Sequence, residues 1–272
     1  MSSESAGSLP IDTSIAHPAR RYNYWLGGKD NFAVDRASGD AITAAFPTTR
    51  LAVIENRAFL RRAVTHLTRD AGIRQFLDIG TGLPSANNTH EVAQGIAPEA
   101  RIVYVDNDPL VLVHARALLS SGPAGATAYL QADLRDPEQI LADPSLDRVL
   151  DRSQPVALML VAVLHFLRES DDPYGKVAHL LDALPPGSYL VMSHGTNDFM
   201  DAATREAVEA ANGPAGDFTA RTAAQITRFF AGLEVLPPGL VPLAEWCAET
   251  EPEPRPTPAD VAQYALVGRK PG

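Results

Sequence analysis

Three aspartates and a pair of glycines in the first half of the chain fall at spacings that suit a nucleotide-like ligand. The run Asp78-Ile79-Gly80-Thr81-Gly82-Leu83-Pro84 closes a short apolar segment, Gln75 to Ile79. Glycines at such a turn let the backbone bend tightly and approach a ligand without Cβ contacts. Alone, a Gly-x-Gly is equally well explained as an ordinary strand-to-helix turn. The next apolar run, Arg101 to Val105, ends in Asp106-Asn107-Asp108. A carboxylate there, roughly 20 residues beyond the glycines, suits two ribose hydroxyls. Asp108 precedes Pro109 and reads as a helix cap. A third run, Ala128 to Ala132, ends in Asp133-Leu134-Arg135, a second carboxylate on the same rim, where it can accept from an adenine amino group. Of the seven histidines, His165 and His194 lie near expected carboxyl ends of strands, where a proton acceptor is useful, although such residues are more often structural.

The elements that must position these groups follow from periodicity. From Arg50 to Gly72, Leu51, Ile54, Phe59, Leu60, Val64 and Leu67 recur at helical spacing, predicting one long amphipathic helix that covers a core. Beyond it, apolar runs alternate with helical stretches, with Pro155 to Leu164 and Tyr189 to Ser193 as further strands. Asp108-Pro109, Asp136-Pro137 and Asp172-Pro173 each set a capping carboxylate before a first-turn proline. Helices are expected at Asp201 to Asn212 and Thr219 to Phe230, and late strands at Leu233 to Val241 and Tyr264 to Arg269. The whole predicts an α/β fold, a doubly wound, mostly parallel seven-stranded sheet with its ligand above the carboxyl ends of the strands. Residues 1–18 read as a flexible tail, 19–73 as a helical cover or lid and 74–272 as the binding core, one structural domain in all.

Asp78, Gly80, Gly82, Asp106 and Asp133 together resemble the pattern of class I, Rossmann-type S-adenosylmethionine-dependent methyltransferases. Four further stretches extend the likeness over nearly the whole chain: Tyr22 to Phe32, Asn56 to Leu60, Asn88 to Gln94 and Val161 to Leu167. They are similar to the actinobacterial S-adenosyl methyltransferase family, long catalogued as a domain of unknown function. The resemblance implies S-adenosylmethionine as cofactor and S-adenosylhomocysteine as product. It implies that Asp78, Gly80, Thr81, Gly82, Asp106, Asn107, Asp133, Leu134, Val161 and Ala162 hold the cofactor, while Tyr24, Gly28, Asn31 and Phe32 fold over it as a lid. A buried loop packed on the main core is the competing account of that last segment. Pro84 stands where many members have a third glycine, and the following helix is delayed until a capping box of Asn88 and Glu91. An Asn-Pro-Pro-aromatic motif, used by one kind of amino-group methyltransferase, is not found.

Composition narrows the acceptor. A net charge of −10 repels a phosphate backbone, so a small-molecule methyl acceptor is expected rather than nucleic acid. The single cysteine, Cys247, and the lack of metal-ligand spacing suit a reducing cytoplasm and a metal-free site. Neither a signal peptide nor a membrane span is expected. Two other readings compete. Gly80, Gly82, Ser85 and Asp106 partly satisfy an NAD-dependent oxidoreductase fingerprint, and a non-catalytic S-adenosylmethionine-binding protein would carry the same residues.

Overall fold

The structure is a computed structural model that describes residues 11–118, 122, 124–212 and 216–272. Three helices come first: α1 (Pro18–Trp25), α2 (Ala33–Ala45) and α3 (Thr49–Arg69). Strand and helix then alternate through β1 (Gln75–Ile79), α4 (Thr89–Ile96), β2 (Arg101–Asp106), α5 (Pro109–Leu118), β3 (Ala126–Gln131), α6 (Pro137–Ala142), α7 (Pro144–Val149), β4 (Ala157–Val161), α8 (Pro173–Asp182) and β5 (Tyr189–Gly195). The chain ends with α9 (Ala202–Asn212), α10 (Ala223–Thr227), β6 (Glu234–Val235), β7 (Val241–Pro242), α11 (Pro258–Val261) and β8 (Gln263–Arg269).

The helix starts follow from their caps. Asp108, Asp136 and Asp172 each accept a backbone N–H of the first turn, from Leu110, Gln139 and Gly175 respectively. Asp143, before Pro144, does the same for α7, a fourth instance of the pattern. Asn88 and Glu91 form the expected box on α4.

The strands order as β3-β2-β1-β4-β5-β8-β6, with β7 also paired to β8. All neighbours from β3 to β5 are parallel, and β8 runs antiparallel to β5. The order reverses between β1 and β4, so the crevice for a ligand opens above their carboxyl ends. Both faces of the sheet are buried, as parallel sheets require. On one face Leu77, Val103, Leu158, Leu190 and Leu266 meet α6, α7 and α8. On the other, Phe76, Ile102, Met159, Val191 and Val267 meet Phe59, Leu60, Val64 and Leu67 of α3. The two sets alternate along each strand, the period-two signature of the pleat.

Two expected elements divide. Leu233 to Val241 is two short strands rather than one, because Pro237 and Pro238 between them have no N–H for a ladder and the Gly239 N–H turns back to the Leu236 carbonyl. Thr219 to Phe230 becomes α10 followed by a 3-10 turn at Arg228–Phe230. The stretch read as a tail, residues 1–18, is described only from Ile11 onward. Residues 1–10 lie outside the described residues, but from Ile11 the chain packs on Leu83, Leu110 and Val111, and Arg20 donates to the Asp12 carbonyl.

Candidate active site

Above the reversal between β1 and β4 lies a cavity of about 470 Å³. Asp78, Gly80, Thr81, Gly82, Asp106, Asn107, Asp133, Leu134, Val161, Ala162 and His165 all line it. Each sits at or just past the carboxyl end of a parallel strand, which is how residues far apart in sequence reach one rim.

The turn after β1 is held by the neighbouring strand, since Gly80 and Thr81 donate their N–H groups to the Val105 carbonyl. Both glycines have left-handed backbone, φ +77° at Gly80 and +69° at Gly82. Their reasons differ. A Cβ on Gly80 would lie 2.3 Å from Val163 Cγ2, so internal packing forbids it. A Cβ on Gly82 would meet nothing within 4 Å, so its surface stays open to a ligand. Asp106 fixes the turn from the side: one carboxylate oxygen accepts the Gly82 N–H at 2.8 Å, the other that of Asp108 at 2.9 Å. Each oxygen keeps a lone pair for a further donor. Burial raises the Asp106 pKa.

Asp78 is buried at the base of the turn, where its carboxylate accepts from the Thr89 hydroxyl at 2.6 Å. Burial pushes its pKa up to about 6 against the pull of Thr89 and Arg57. Arg57, on α3, donates to the carbonyls of Ala86 and Asn87 and so ties the extended loop before α4, yet its buried Nε has no partner. At the far end, burial raises the pKa of Asp133, but hydrogen bonds from the Arg135 N–H and Asn107, with the Arg135 charge, outweigh it and hold the carboxyl below the usual range.

The tip of β4 is strained. Ala162 has φ +54°, a left-handed conformation unfavourable for a residue with a Cβ, and its N–H is gripped by the carbonyl and hydroxyl of Ser193. Ser193 in turn donates to Asn56, Asn56 to the Tyr22 hydroxyl, and Tyr22 to the Val53 carbonyl. This relay joins β5, α3 and α1.

The amino-terminal lid residues need correction. Tyr24, Gly28, Asn31 and Phe32 are not on the cavity wall. Tyr24 donates to Asp40, Asn31 bonds Asn23 and the Gly28 carbonyl, and a Cβ on Gly28 would collide with Asn23. Phe32 precedes α2 and receives the Arg20 guanidinium over its ring. These four residues shape the turn between α1 and α2; the wall is instead built by His17, Arg21, Tyr22 and Trp25 of the same segment. The segment is anchored by Arg20, which pairs with Asp108 at 3.0 Å and Asp35 at 3.8 Å, all three buried. Above it, α2 packs on α9, so that α1, α2 and α9 form a cap.

His194 likewise lies off the wall. It is fully buried, with Arg221 donating to Nε2 at 2.9 Å and Nδ1 donating to the Gly195 carbonyl. Burial and the Arg221 charge push its pKa down to about 3. It is a neutral, locked ring and no proton acceptor. Arg57 and Tyr22 stand inside segments with a legible signal and Arg21 directly before one, yet Asp217 and Phe218 follow no local pattern, and only tertiary folding brings them to the wall.

A family model described as S-adenosyl methyltransferase matches residues 4–271 of the chain. Two solved structures are similar along almost their entire length. One is a DUF574 family protein from Streptomyces avermitilis, 45% identical, covering 96% of this chain and 100% of that one with a TM-score of 0.92. The other is a putative methyltransferase from Thermobifida fusca, 43% identical, covering 96% and 97% with a TM-score of 0.86. Magnesium protoporphyrin IX methyltransferase from Synechocystis, solved with bound S-adenosylhomocysteine, shares the fold at 13% identity, with 92% and 93% coverage and a TM-score of 0.53. Among curated proteins, none matches this chain in sequence.

Proposed function

Because this chain belongs to the S-adenosyl methyltransferase family and is an S-adenosylmethionine-dependent methyltransferase, we propose that it methylates a small molecule enclosed with the cofactor beneath the cap. The cavity carries this reading: about 470 Å³, continuous from the Asp133 rim to the tips of β4 and β5, and walled by α1, α2 and α9. A chamber of this size suits small ligands. The acidic net charge of −10 supports the exclusion of nucleic acid, and the lone Cys247 thiol suits the cytoplasm. No helix among the described residues is long and apolar enough to cross a membrane.

The residues present fit the cofactor. At one end of the cavity Asp78 is a buried acid short of a cation, and Arg57 Nε a buried donor short of an acceptor. An α-ammonium and an α-carboxylate supply both. Open space over Gly82 admits the sugar, Asp106 accepts its hydroxyls, and Asp133 with Leu134 flanks the adenine. S-adenosylmethionine supplies an electrophilic methyl on a sulfonium. This chain's residues contribute position and water exclusion, which suffice for large effects in transfer between two bound partners. Dinucleotide binding fits less well, since α4 begins only at Thr89, too far past Gly82 to offer its amino terminus to a pyrophosphate.

Calorimetric titration with S-adenosylmethionine, S-adenosylhomocysteine and NAD tests the cofactor half. Binding of NAD alone would overturn it. Incubation with labelled methyl donor, a low-mass compound library and, separately, RNA and protein tests the acceptor: label is expected in a low-mass product.

A further inference from the structure

The half of the cavity over β4 and β5 is chemically unlike the cofactor half. The large apolar side chains Trp25, Phe46, Met200 and Phe218 line it. Set into them is Arg21, only 7% exposed. One guanidinium nitrogen pairs with Asp217 at 2.6 Å and another reaches the Ser38 hydroxyl at 3.5 Å, but its buried Nε has no partner. His165 lies close enough to feel the Arg21 charge, meets the Phe166 ring edge-on and packs at a tilt against the Phe218 ring. Its Nδ1 accepts the Gly195 N–H at 3.5 Å, so the neutral ring carries its proton on Nε2. Burial, with His194, Arg221 and Arg21 nearby, pushes its pKa well below the usual value, and at neutral pH the ring is a donor. Asp217, the acid of this half among the described residues, is taken by Arg21 and partly exposed.

Donors without a base, between planar apolar walls, describe a ligand that arrives already anionic. Resting on the cofactor placement proposed above, we infer that the methyl acceptor is a planar, apolar carboxylic acid whose carboxylate docks on Arg21 Nε and is itself the nucleophile. A carboxylate oxygen lone pair forms the new bond to the methyl carbon as the carbon–sulfur bond breaks. The electron pair of that bond stays on sulfur, giving a methyl ester and a neutral thioether. The charges of carboxylate and sulfonium cancel, and no proton leaves, which is why no general base is needed.

The test uses the full-length protein saturated with S-adenosylhomocysteine and titrated with benzoate, 2-naphthoate and indole-3-acetate, each against its carboxamide. At least one acid is expected to bind tenfold or more tightly than its amide. Arg21→Gln is expected to abolish that difference while leaving S-adenosylhomocysteine affinity within about twofold. Asp217→Asn, which frees the guanidinium, is expected to tighten acid binding severalfold and serves if the Arg21 variant fails to fold. With labelled S-adenosylmethionine, the transferred label is expected to leave as volatile methanol in alkali, as a methyl ester requires. Equal binding of acids and amides, or no acid binding to a protein that holds S-adenosylhomocysteine, overturns the inference. Failure to hold S-adenosylhomocysteine at all would instead overturn the cofactor placement on which it rests.

Discussion

Asp78 should make cofactor binding release a proton. In the empty protein, burial raises its pKa from 3.8 to about 6. A cation seated beside it reverses that burial effect and returns the carboxyl below the ordinary range. At pH 6 about half of the empty molecules carry the proton and nearly none of the bound ones do, so binding releases about half a proton. Affinity for S-adenosylhomocysteine should therefore level off near pH 7, where the ligand's ammonium is still charged, and fall by about tenfold per unit well below pH 6. Calorimetry at pH 6 in two buffers of different ionisation enthalpy reads the proton count directly. Asp78→Asn should abolish both effects and leave the proton count near zero. The same shift governs the empty protein's stability with the opposite sense. Because the folded pKa lies above the unfolded one, Asp78's contribution is fully present below pH 3.8 and is lost as pH rises through about 6. The loss amounts to about 3 kcal/mol. Asp78→Asn should accordingly be more stable than the parent at pH 7.5 and lose that advantage in acid. Binding without proton release at pH 6, with affinity constant from pH 5 to 7, would refute the placement of a cation on Asp78.

Three other substitutions probe the site and its supports. Asp106→Ala removes the acceptor for the proposed ribose hydroxyls and also orphans the N–H groups of Gly82 and Asp108. It should cost roughly 1.5–3 kcal/mol of cofactor affinity per lost bond and also lower the melting temperature, and a folded variant with unchanged affinity would remove Asp106 from the site. Gly80→Ala should destabilise by about 1–3 kcal/mol of overpacking against Val163 plus about 1–2 kcal/mol of left-handed strain. Adding Val163→Ala should recover the first part and not the second, as equilibrium denaturation would show. Asp35→Ala takes the partner of Arg20 and the acceptor for the His17 and Phe32 N–H groups from a fully buried position. Loosening of about 3–5 kcal/mol should appear as faster amide exchange in α1 and α2, with the sheet unchanged.

What could be read from the sequence was what depends on local chemistry. Gln75 to Ile79 is β1 to the residue, because five buried apolar or strand-facing positions ended by Asp-x-Gly allow nothing else locally. The aspartate-proline pairs placed α5, α6 and α8, and strand alternation placed the rim residues on one edge. The amino-terminal segment was legible as unusual but not in detail. Tyr22 and Tyr24 have the same type and nearly the same neighbours, and only the rotation of α1 against α3 decides that Tyr22 lines the cavity while Tyr24 turns to Asp40. His165 and His194 were equally placed by position. Arg221, far along the chain, separates them by locking His194. Long-range partners of this kind leave no periodic trace.

The cavity has divided ownership. Its cofactor half is made by the sheet's own strand ends with Arg57 of α3, whereas Arg21, Trp25, Phe46 and Met200 come from cap segments that the sheet does not need for its pairing. Where substitutions in the two halves share no partner, their effects should add. Donor chemistry can then stay fixed while acceptor preference drifts by cap substitution alone. For engineering, the cap is an exchangeable cartridge: a library confined to those four positions would search acceptor range without spending variants on a broken cofactor grip.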